Sequence, residues 1–324
     1  MPRLRRSRPS IAGYTRRKSG TGFTYSDKTN ATVTGVERAR VESLVIPPAW
    51  TDVWISPDEL GHIQAMGTDA AGRRQYIYHS DWRARRDKTK FERALALAEV
   101  LPAARRVVTR ELREDAASRQ RALAAAFRLL DTASPRVGGK RYLESNGSHG
   151  LSTLLCSHVQ VHEGNEIEIR FRGKGGQSWQ ATLHDDDLAR VIRSLKRRGP
   201  NAHLLAWKDD GDWRVLDASE INDYVRERTR GSFTAKDFRT LRGTIVAAQS
   251  LRATGVTTKK SKQKTAVVQA MKDAAQALGN TPTIAKKSYV DPRVVDRYQA
   301  GHLLEVSGGP DAPAETALRR LILG

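Results

Sequence analysis

A tyrosine near the end of the chain, Tyr289, stands in a setting that could make its phenol a nucleophile. It lies in the run LGNTPTIAKKSYV, nine residues after Asn280, in a chain of 324 residues with a formal net charge of +20. A phenol has an ordinary pKa of about 10, so it attacks a phosphodiester at neutral pH only where positive charge stabilises the phenolate and the pentacovalent phosphorus. Tyr289 therefore needs cationic partners from elsewhere in the sequence.

Three basic residues and one amide precede Tyr289 in motifs that suit such a site. Arg136 lies in RVGGKRY, Lys174 in the turn FRGKGG, and Arg239 in FTAKDFRTLRGT, while Asn280 lies in LGNTP. Each position alone has an ordinary structural explanation, because basic residues at glycine turns are common and an Asn after a glycine can cap a helix. The order of the set along the chain is the specific signal.

The overall charge indicates a polyanionic partner. Lys and Arg number 56 against 36 Asp and Glu, and duplex nucleic acid fits this excess better than a membrane does. No basic amphipathic helix with a bulky apolar face is evident, and no apolar run approaches the roughly 20 residues that a membrane span needs. The basic N-terminus lacks the hydrophobic segment of a secretory signal, and a single cysteine, Cys156, suits a reducing compartment. We therefore expect a cytoplasmic, nucleoid-associated protein.

The hydrophobic pattern predicts an α+β protein in three parts. Residues 1–28 are predicted to be a basic flexible arm, residues 29–90 a β-rich domain, and residues 91–324 a mainly helical domain with a small three-stranded sheet. The β-rich part contains short strand-like runs, among them ATVTGVERARVESLVI and QYIYH, separated by turn residues.

Charged segments and one alternating segment interrupt the predicted helices of the larger part. WRARRDKTK (82–90) is predicted to be a charged connector, and TKKSKQK (258–264) a basic loop between helical segments. The run HVQVHEGNEIEIRFRGKGGQSWQATL alternates with period two and predicts a three-stranded meander with Lys174 in its second turn. From about Asp186 to the end, the pattern is helical.

Taken together, the motifs resemble those of type IB DNA topoisomerases of the poxvirus and bacterial kind. The resemblance rests on RVGGKRY, FRGKGG, KDFRT and SYV in that order, with IPPAWTDVWI and GRRQYIYH similar to the β-domain signatures of that family. It spans about Ile46 to Tyr298. It implies that the β-rich domain is a DNA clamp and that the helical domain is catalytic.

The resemblance also implies a role for each residue of the set. Tyr289 would form a 3′-phosphotyrosyl link to DNA and release a 5′-hydroxyl strand, so that religation needs neither ATP nor an obligatory metal. Arg136 and Arg239 would hold the non-bridging oxygens, and Lys174 would protonate the departing 5′-oxygen. Asn280 departs from the family, which usually has His there; an amide can donate the same hydrogen bond but carries no charge.

Contacts to duplex DNA are expected from both domains. The resemblance implies that a group on the β-rich domain faces the duplex, and Lys236 on the catalytic domain is a further expected DNA contact. The expected β-domain contacts are Arg73, Arg74, Gln75, Tyr76 and Tyr78.

Two other classes of protein share part of this pattern: tyrosine recombinases use the same Arg, Lys and Tyr residues, and non-catalytic DNA-binding proteins have the same basic charge. Recombinases usually place His three residues before the second arginine, where this chain has Lys236, and a binding protein has no need of the ordered set. No small-molecule cofactor or metal is required by the scheme, and His184–Asp187 fits a helix N-terminus better than a metal site. Neither half has a self-complementary seam, so we expect a monomer.

Overall fold

A computed structural model describes residues 3–114, 117–305 and 314–324, and it divides into two compact units, Met1–Thr89 and Lys90–Gly324. The first unit is β-rich, and the second is mostly helical with a small three-stranded sheet. The predicted α+β class is therefore confirmed.

The first unit is built on a five-stranded antiparallel sheet with the order β2-β1-β3-β4-β5. Its own small core includes Val41, Ile55 and Ala65, which have no measurable exposed surface. The elements of this unit are β1 (Tyr14–Ser19), β2 (Gly22–Ser26), α1 (Gly35–Ser43), β3 (Thr51–Ile55), β4 (Ile63–Thr68) and β5 (Arg74–Tyr78).

Two expectations for this unit are wrong. Strands β1 and β2 lie inside the segment predicted to be a flexible arm, because the Arg16 guanidinium donates to the carbonyl oxygens of Ile46 and Trp50 and thereby ties β1 to the domain. The strand-like run after Asn30 contains helix α1, which buries Val41 and sets Arg38 and Glu42 one turn apart at 2.9 Å. The β-branched residues of that run had favoured a strand.

The second unit holds the larger core, to which nearly all of its helices contribute. Helix α2 contains the division between the units at Thr89. The helices are α2 (Ser80–Leu112), α3 (Arg119–Ala133), α4 (Lys140–Asn146), α5 (Asp186–Lys196), α6 (Ala218–Thr229), α7 (Ala235–Thr254), α8 (Lys260–Leu278), α9 (Pro282–Ser288), α10 (Pro292–Gln299) and α11 (Ala314–Leu323).

Two charged segments predicted as connections are helical instead. Residues 82–90 belong to α2, and the basic segment 258–264 is helical from Lys260 onward. Lys and Arg are good helix formers, so a run of them does not by itself interrupt a helix. The predicted capping role of the acidic run is confirmed, since the Asp185 carboxylate accepts from the backbone N–H of Leu188 at the start of α5.

The predicted meander is confirmed as β6 (Val159–Val161), β7 (Glu166–Arg172) and β8 (Ser178–His184). A further hairpin was missed, β9 (Ala206–Asp209) with β10 (Asp212–Val215), in a stretch predicted to be helical. Its turn residues Asp210 and Gly211 both have positive φ, at 45° and 97°. The Asp-Gly pair was the available signal for that turn.

Candidate active site

The phenol of Tyr289 is buried between two guanidinium groups. Tyr289 ends the short helix α9, which begins with a Thr281 cap and Pro282 in its first turn, and its side chain is only 7% exposed. Arg136 Nη1 lies 3.3 Å from the phenolic oxygen as a hydrogen-bond donor, and the guanidinium carbon of Arg239 lies 4.9 Å from the centre of the tyrosine ring. The structure thus brings together three predicted residues that lie as much as 153 positions apart.

The two arginines change the acidity of the phenol. Burial by itself raises the pKa of Tyr289, but the charges of Arg239 and Arg136 and the hydrogen bond from Arg136 more than offset this, so the pKa falls below the ordinary value of 10. A lowered pKa means that the phenolate is easier to form here than in water. The arrangement favours a nucleophilic oxygen at Tyr289.

Arg239 is held rigidly inside helix α7. Its side chain is 3% exposed, and it donates from Nη1 to the carbonyl oxygen of Ser134 at 2.6 Å and from Nη2 to that of Leu278 at 2.8 Å. Burial lowers the pKa of this guanidinium, and the Tyr289 phenol opposes that effect. Its Nε–H is buried and has no acceptor among the described residues. The Nε–H of this fixed guanidinium is therefore available to a further acceptor beside the phenol.

The backbone that carries Arg136 depends on two glycines. Gly138 has a φ of +75°, and a Cβ added to Gly150 would lie 2.5 Å from the Gly138 Cα and 2.8 Å from the Arg136 carbonyl oxygen. That same oxygen accepts from the N–H of Leu151 at 2.8 Å. Gly138, the first glycine of RVGGKRY, thus allows two chain segments to cross closely. The crossing fixes the backbone from which the Arg136 side chain extends.

Asn280 closes a helix through its backbone and contacts Arg136 through its side chain. Its N–H donates to the carbonyl oxygen of Ala275 just after Gly279 (φ +58°), which closes helix α8. Its side-chain Oδ1 accepts from Arg136 Nη2 at 2.5 Å, while Nδ2 is buried with no acceptor in the part of the chain that is described. The amide therefore orients Arg136 and keeps two N–H donors unused.

Lys174 is the predicted residue that the structure does not bring into this cluster. It is exposed in the turn between β7 and β8, and no hydrogen bond or ion pair between described residues joins it to Tyr289 or to the arginines. The strands below it are fixed, since Phe171 and Trp179 pair across them with ring centres 4.8 Å apart. Trp179 also packs on Gly279, where an added Cβ would lie 2.4 Å from the indole ring. The hairpin thus rises next to Asn280 with Lys174 at its tip.

Sequence reasoning missed two residues that hold Tyr289 from helix α7. A Cβ added to Gly243 would lie 3.1 Å from the Tyr289 Cβ, so any larger residue would press on Tyr289. The Thr244 hydroxyl lies 3.1 Å from the Tyr289 carbonyl oxygen and accepts from the N–H of Asp291 at 3.2 Å. The signal was a glycine inside the helical run KDFRTLRGT, which indicates close packing.

The predicted DNA-facing residues of the first unit lie on two faces of one hairpin. Tyr76 and Tyr78 stack on one face of β5 with ring centres 6.0 Å apart. Gln75 lies on the other face, where its amide donates to Asp69 at 2.8 Å. Arg73 pairs with the same carboxylate at 2.9 Å. Arg74, like Lys236 at the start of α7, is exposed.

Comparison with known proteins decides the family. The sequence model of the catalytic core of eukaryotic DNA topoisomerase I matches residues 79–302, a range that includes the five predicted catalytic residues. The model of the N-terminal domain of bacterial DNA topoisomerase IB matches residues 22–69. The chain belongs to the type IB DNA topoisomerases. It is therefore a DNA topoisomerase, an isomerase whose substrate is duplex DNA.

Three viral topoisomerases are similar to this chain over most of their length. DNA topoisomerase 1B of Acanthamoeba polyphaga mimivirus is 31% identical over 319 residues, which cover 96% of this chain and 95% of the viral one. DNA topoisomerase 1B of vaccinia virus (strain Copenhagen) is 22% identical over 278 residues, 82% of this chain and 83% of the relative. DNA topoisomerase 1 of rabbit fibroma virus (strain Kasza) is 26% identical over 263 residues, 78% of each chain.

Neither a metal-binding cluster nor a membrane-spanning helix is found in the described part of this topoisomerase. Within residues 3–114, 117–305 and 314–324, no group of three or more His, Cys, Asp or Glu residues is arranged to hold a metal ion. Among the helices of the same ranges, none is both long and apolar enough to cross a membrane.

Proposed function

We propose that this topoisomerase relaxes supercoils by cutting one strand through Tyr289. The phenolic oxygen attacks a backbone phosphorus, the bond from phosphorus to the 5′-oxygen breaks, and a 3′-phosphotyrosyl link forms. The observation that carries the proposal is the phenol itself, buried and hydrogen-bonded by Arg136 beside the guanidinium of Arg239. A single chain supplies every residue of the scheme, so we also propose that the monomer is active.

The unused donors around Tyr289 match the charge that develops on phosphorus. Arg239 Nε–H, Asn280 Nδ2–H and the Arg136 guanidinium are the donors available for the non-bridging oxygens. Because these groups are buried or held by neighbours, they need little reorganisation as negative charge grows. For the two charged arginines, preorganised donation of this kind typically contributes about 3–4 kcal/mol each to the transition state, and the uncharged amide of Asn280 contributes less.

Lys174 is proposed as the general acid for the departing 5′-oxygen. An alkoxide is a poor leaving group, and a positioned proton donor typically accelerates its departure by about 10²–10⁴-fold. The β7–β8 hairpin emerges beside Asn280 through the packing of Trp179 on Gly279, so DNA bound over the cluster would lie within reach of its tip. Bound substrate would then bring Lys174 to the reaction.

Religation reverses the same chemistry. The 5′-hydroxyl attacks the phosphotyrosyl phosphorus, and Tyr289 leaves as a phenolate whose charge Arg136 and Arg239 stabilise. The energy of the broken phosphodiester is retained in the tyrosyl ester, so the scheme requires no ATP.

Relaxation of a supercoiled plasmid with EDTA present and ATP absent tests the proposal. We expect complete conversion to relaxed topoisomers. Retention of the plasmid without relaxation would identify a protein that only binds, and a requirement for ATP or a divalent cation would contradict the scheme.

Substitutions at Asn280 test whether its amide works as a donor. We expect Asn280→Ala to slow single-turnover cleavage by about tenfold, the equivalent of one lost hydrogen bond of about 1.4 kcal/mol, and Asn280→His to restore most of the rate. Asn280→Asp keeps the shape but places a carboxylate between Arg136 and the phosphate, so it should cost at least about 100-fold. An unchanged cleavage rate in Asn280→Ala would show that Asn280 acts only as a helix cap.

Thr244 is predicted to position Tyr289 through the backbone. Thr244→Val keeps the shape but removes the hydroxyl that contacts both Tyr289 and Asp291, so we expect single-turnover cleavage to fall by about tenfold. Thr244→Ser retains the hydroxyl and should cleave at nearly the original rate. DNA affinity should be equal in the two variants, and equal cleavage rates would show that the hydroxyl does not position the nucleophile.

A further inference from the structure

The N-terminal segment around Arg5 is fixed to the residues at the start of strand β4 in the first unit. The N–H of Arg5 donates to the carbonyl oxygen of Leu60, and the N–H of His62 donates to that of Arg5, both at 2.9 Å. The Ser7 hydroxyl donates to the carbonyl oxygen of Ile63 at 2.9 Å and accepts from its N–H at 3.0 Å. These bonds place the basic residues Arg5 and Arg6 at a defined position on the sheet.

The same segment determines the proton position on His62. The N–H of Ser7 donates to His62 Nδ1 at 2.8 Å, so the neutral ring carries its proton on Nε2. The pKa of His62 is lowered by burial and by the charge of Arg6, which favours this neutral form at pH 7. The ring meets Trp82 edge-on with centres 4.8 Å apart. The imidazole thus accepts a hydrogen bond at Nδ1 and carries its own N–H donor at Nε2.

A cavity of about 380 Å³ opens here, and the side chains that line it are basic, aromatic or apolar. It is lined by Leu4, Arg5, Arg6, His62 and Trp82, with no carboxylate among these lining residues. The indole Nε1–H of Trp82 is buried and has no acceptor within the described ranges. The neighbouring carboxylate is Asp58, which accepts from Arg5 at 3.4 Å outside the lining. A cavity lined by two arginines and by an indole N–H without an acceptor, with no acidic side chain in its lining, matches an anion.

We propose that this cavity binds a phosphate group. A buried N–H without an acceptor retains the full cost of its lost hydration, and a phosphate oxygen would satisfy it while the Arg6 guanidinium balances the charge. The phosphate could be a free anion or part of a DNA backbone, since both present the same oxygens. The site lies in the first unit and does not depend on Tyr289 being the nucleophile.

The indole N–H signals of the full-length chain, labelled with ¹⁵N-tryptophan, report on this site directly. The chain has six tryptophans, and Trp82→Phe identifies the resonance of Trp82 by its loss. We expect inorganic phosphate to move that resonance saturably, and Arg6→Gln to weaken the apparent affinity by at least about fivefold. Arg17→Gln, which removes an exposed arginine outside the cavity, is the matched control and should leave the titration unchanged.

A second titration with a short duplex distinguishes the two sources of phosphate. If the duplex moves the Trp82 resonance and inorganic phosphate competes, the site holds a backbone phosphate of DNA. If only inorganic phosphate moves it, the site holds a free anion. The proposal is overturned if neither ligand moves the resonance, or if the shifts persist unchanged in Arg6→Gln.

Discussion

Tyr289→Phe is expected to abolish plasmid relaxation, lowering the rate by at least about 10⁴-fold, because it removes the only atom that forms the covalent bond. The substitution deletes one oxygen and leaves the ring that packs beside Arg239. Duplex binding should therefore persist. Relaxation is measured by gel electrophoresis of plasmid, and the covalent complex by denaturing electrophoresis of labelled duplex.

Tyr298→Phe is the matched control for that experiment. Tyr298 is buried in the next helix, and its hydroxyl donates to the carbonyl oxygen of Gly255 at 3.2 Å. The control loses one hydroxyl and one hydrogen bond but no proposed reactive group, so it should relax plasmid at close to the original rate. Full relaxation activity in Tyr289→Phe would show that Tyr289 is not the nucleophile.

Lys174→Ala is expected to slow cleavage of ordinary DNA by about 10²–10⁴-fold, as the loss of a general acid predicts. The same variant should regain nearly the original rate on a duplex in which sulfur replaces the bridging 5′-oxygen at the cleavage site. A thiolate leaves without protonation, so the acid is no longer needed. The measurement is single-turnover cleavage of the two substrates side by side.

Two further variants make the Lys174 experiment specific. Arg136→Ala removes a group proposed to act on non-bridging oxygens, so sulfur at the bridging position should not restore its rate. Lys208→Ala removes a lysine from another exposed hairpin and should behave like the unaltered protein on both substrates. If sulfur fails to rescue Lys174→Ala, the lysine is not the acid.

Local patterns predicted those parts of the fold whose sequences have one clear period. The meander is an example, since Ile167, Ile169 and Phe171 alternate with charged residues and all three are buried. Helix α1 was misread because its β-branched residues favour a strand, while its helical character depends on Arg–Glu pairs and on burial of Val41. Strand β1 was misread because tertiary hydrogen bonds from Arg16 order a segment whose composition indicates disorder.

Residue types and order predicted the members of the candidate site, but their contacts required the fold. The sequence indicated that Arg136, Asn280 and Tyr289 belong together, yet the bond from Arg136 to Asn280 joins positions 144 residues apart. Such a pairing depends on the crossing at Gly150 and on the end of helix α8, neither of which a local pattern specifies. The same reason explains why the backbone support from Thr244 went unnoticed.

The most direct test of the proposed chemistry is mass spectrometry of the covalent complex trapped on a duplex of known sequence. After nuclease and protease digestion, the account predicts a nucleotide attached through its 3′-phosphate to the peptide that contains Tyr289, and a free 5′-hydroxyl on the other fragment. A nucleotide on any other residue, or a link through a 5′-phosphate, would contradict it.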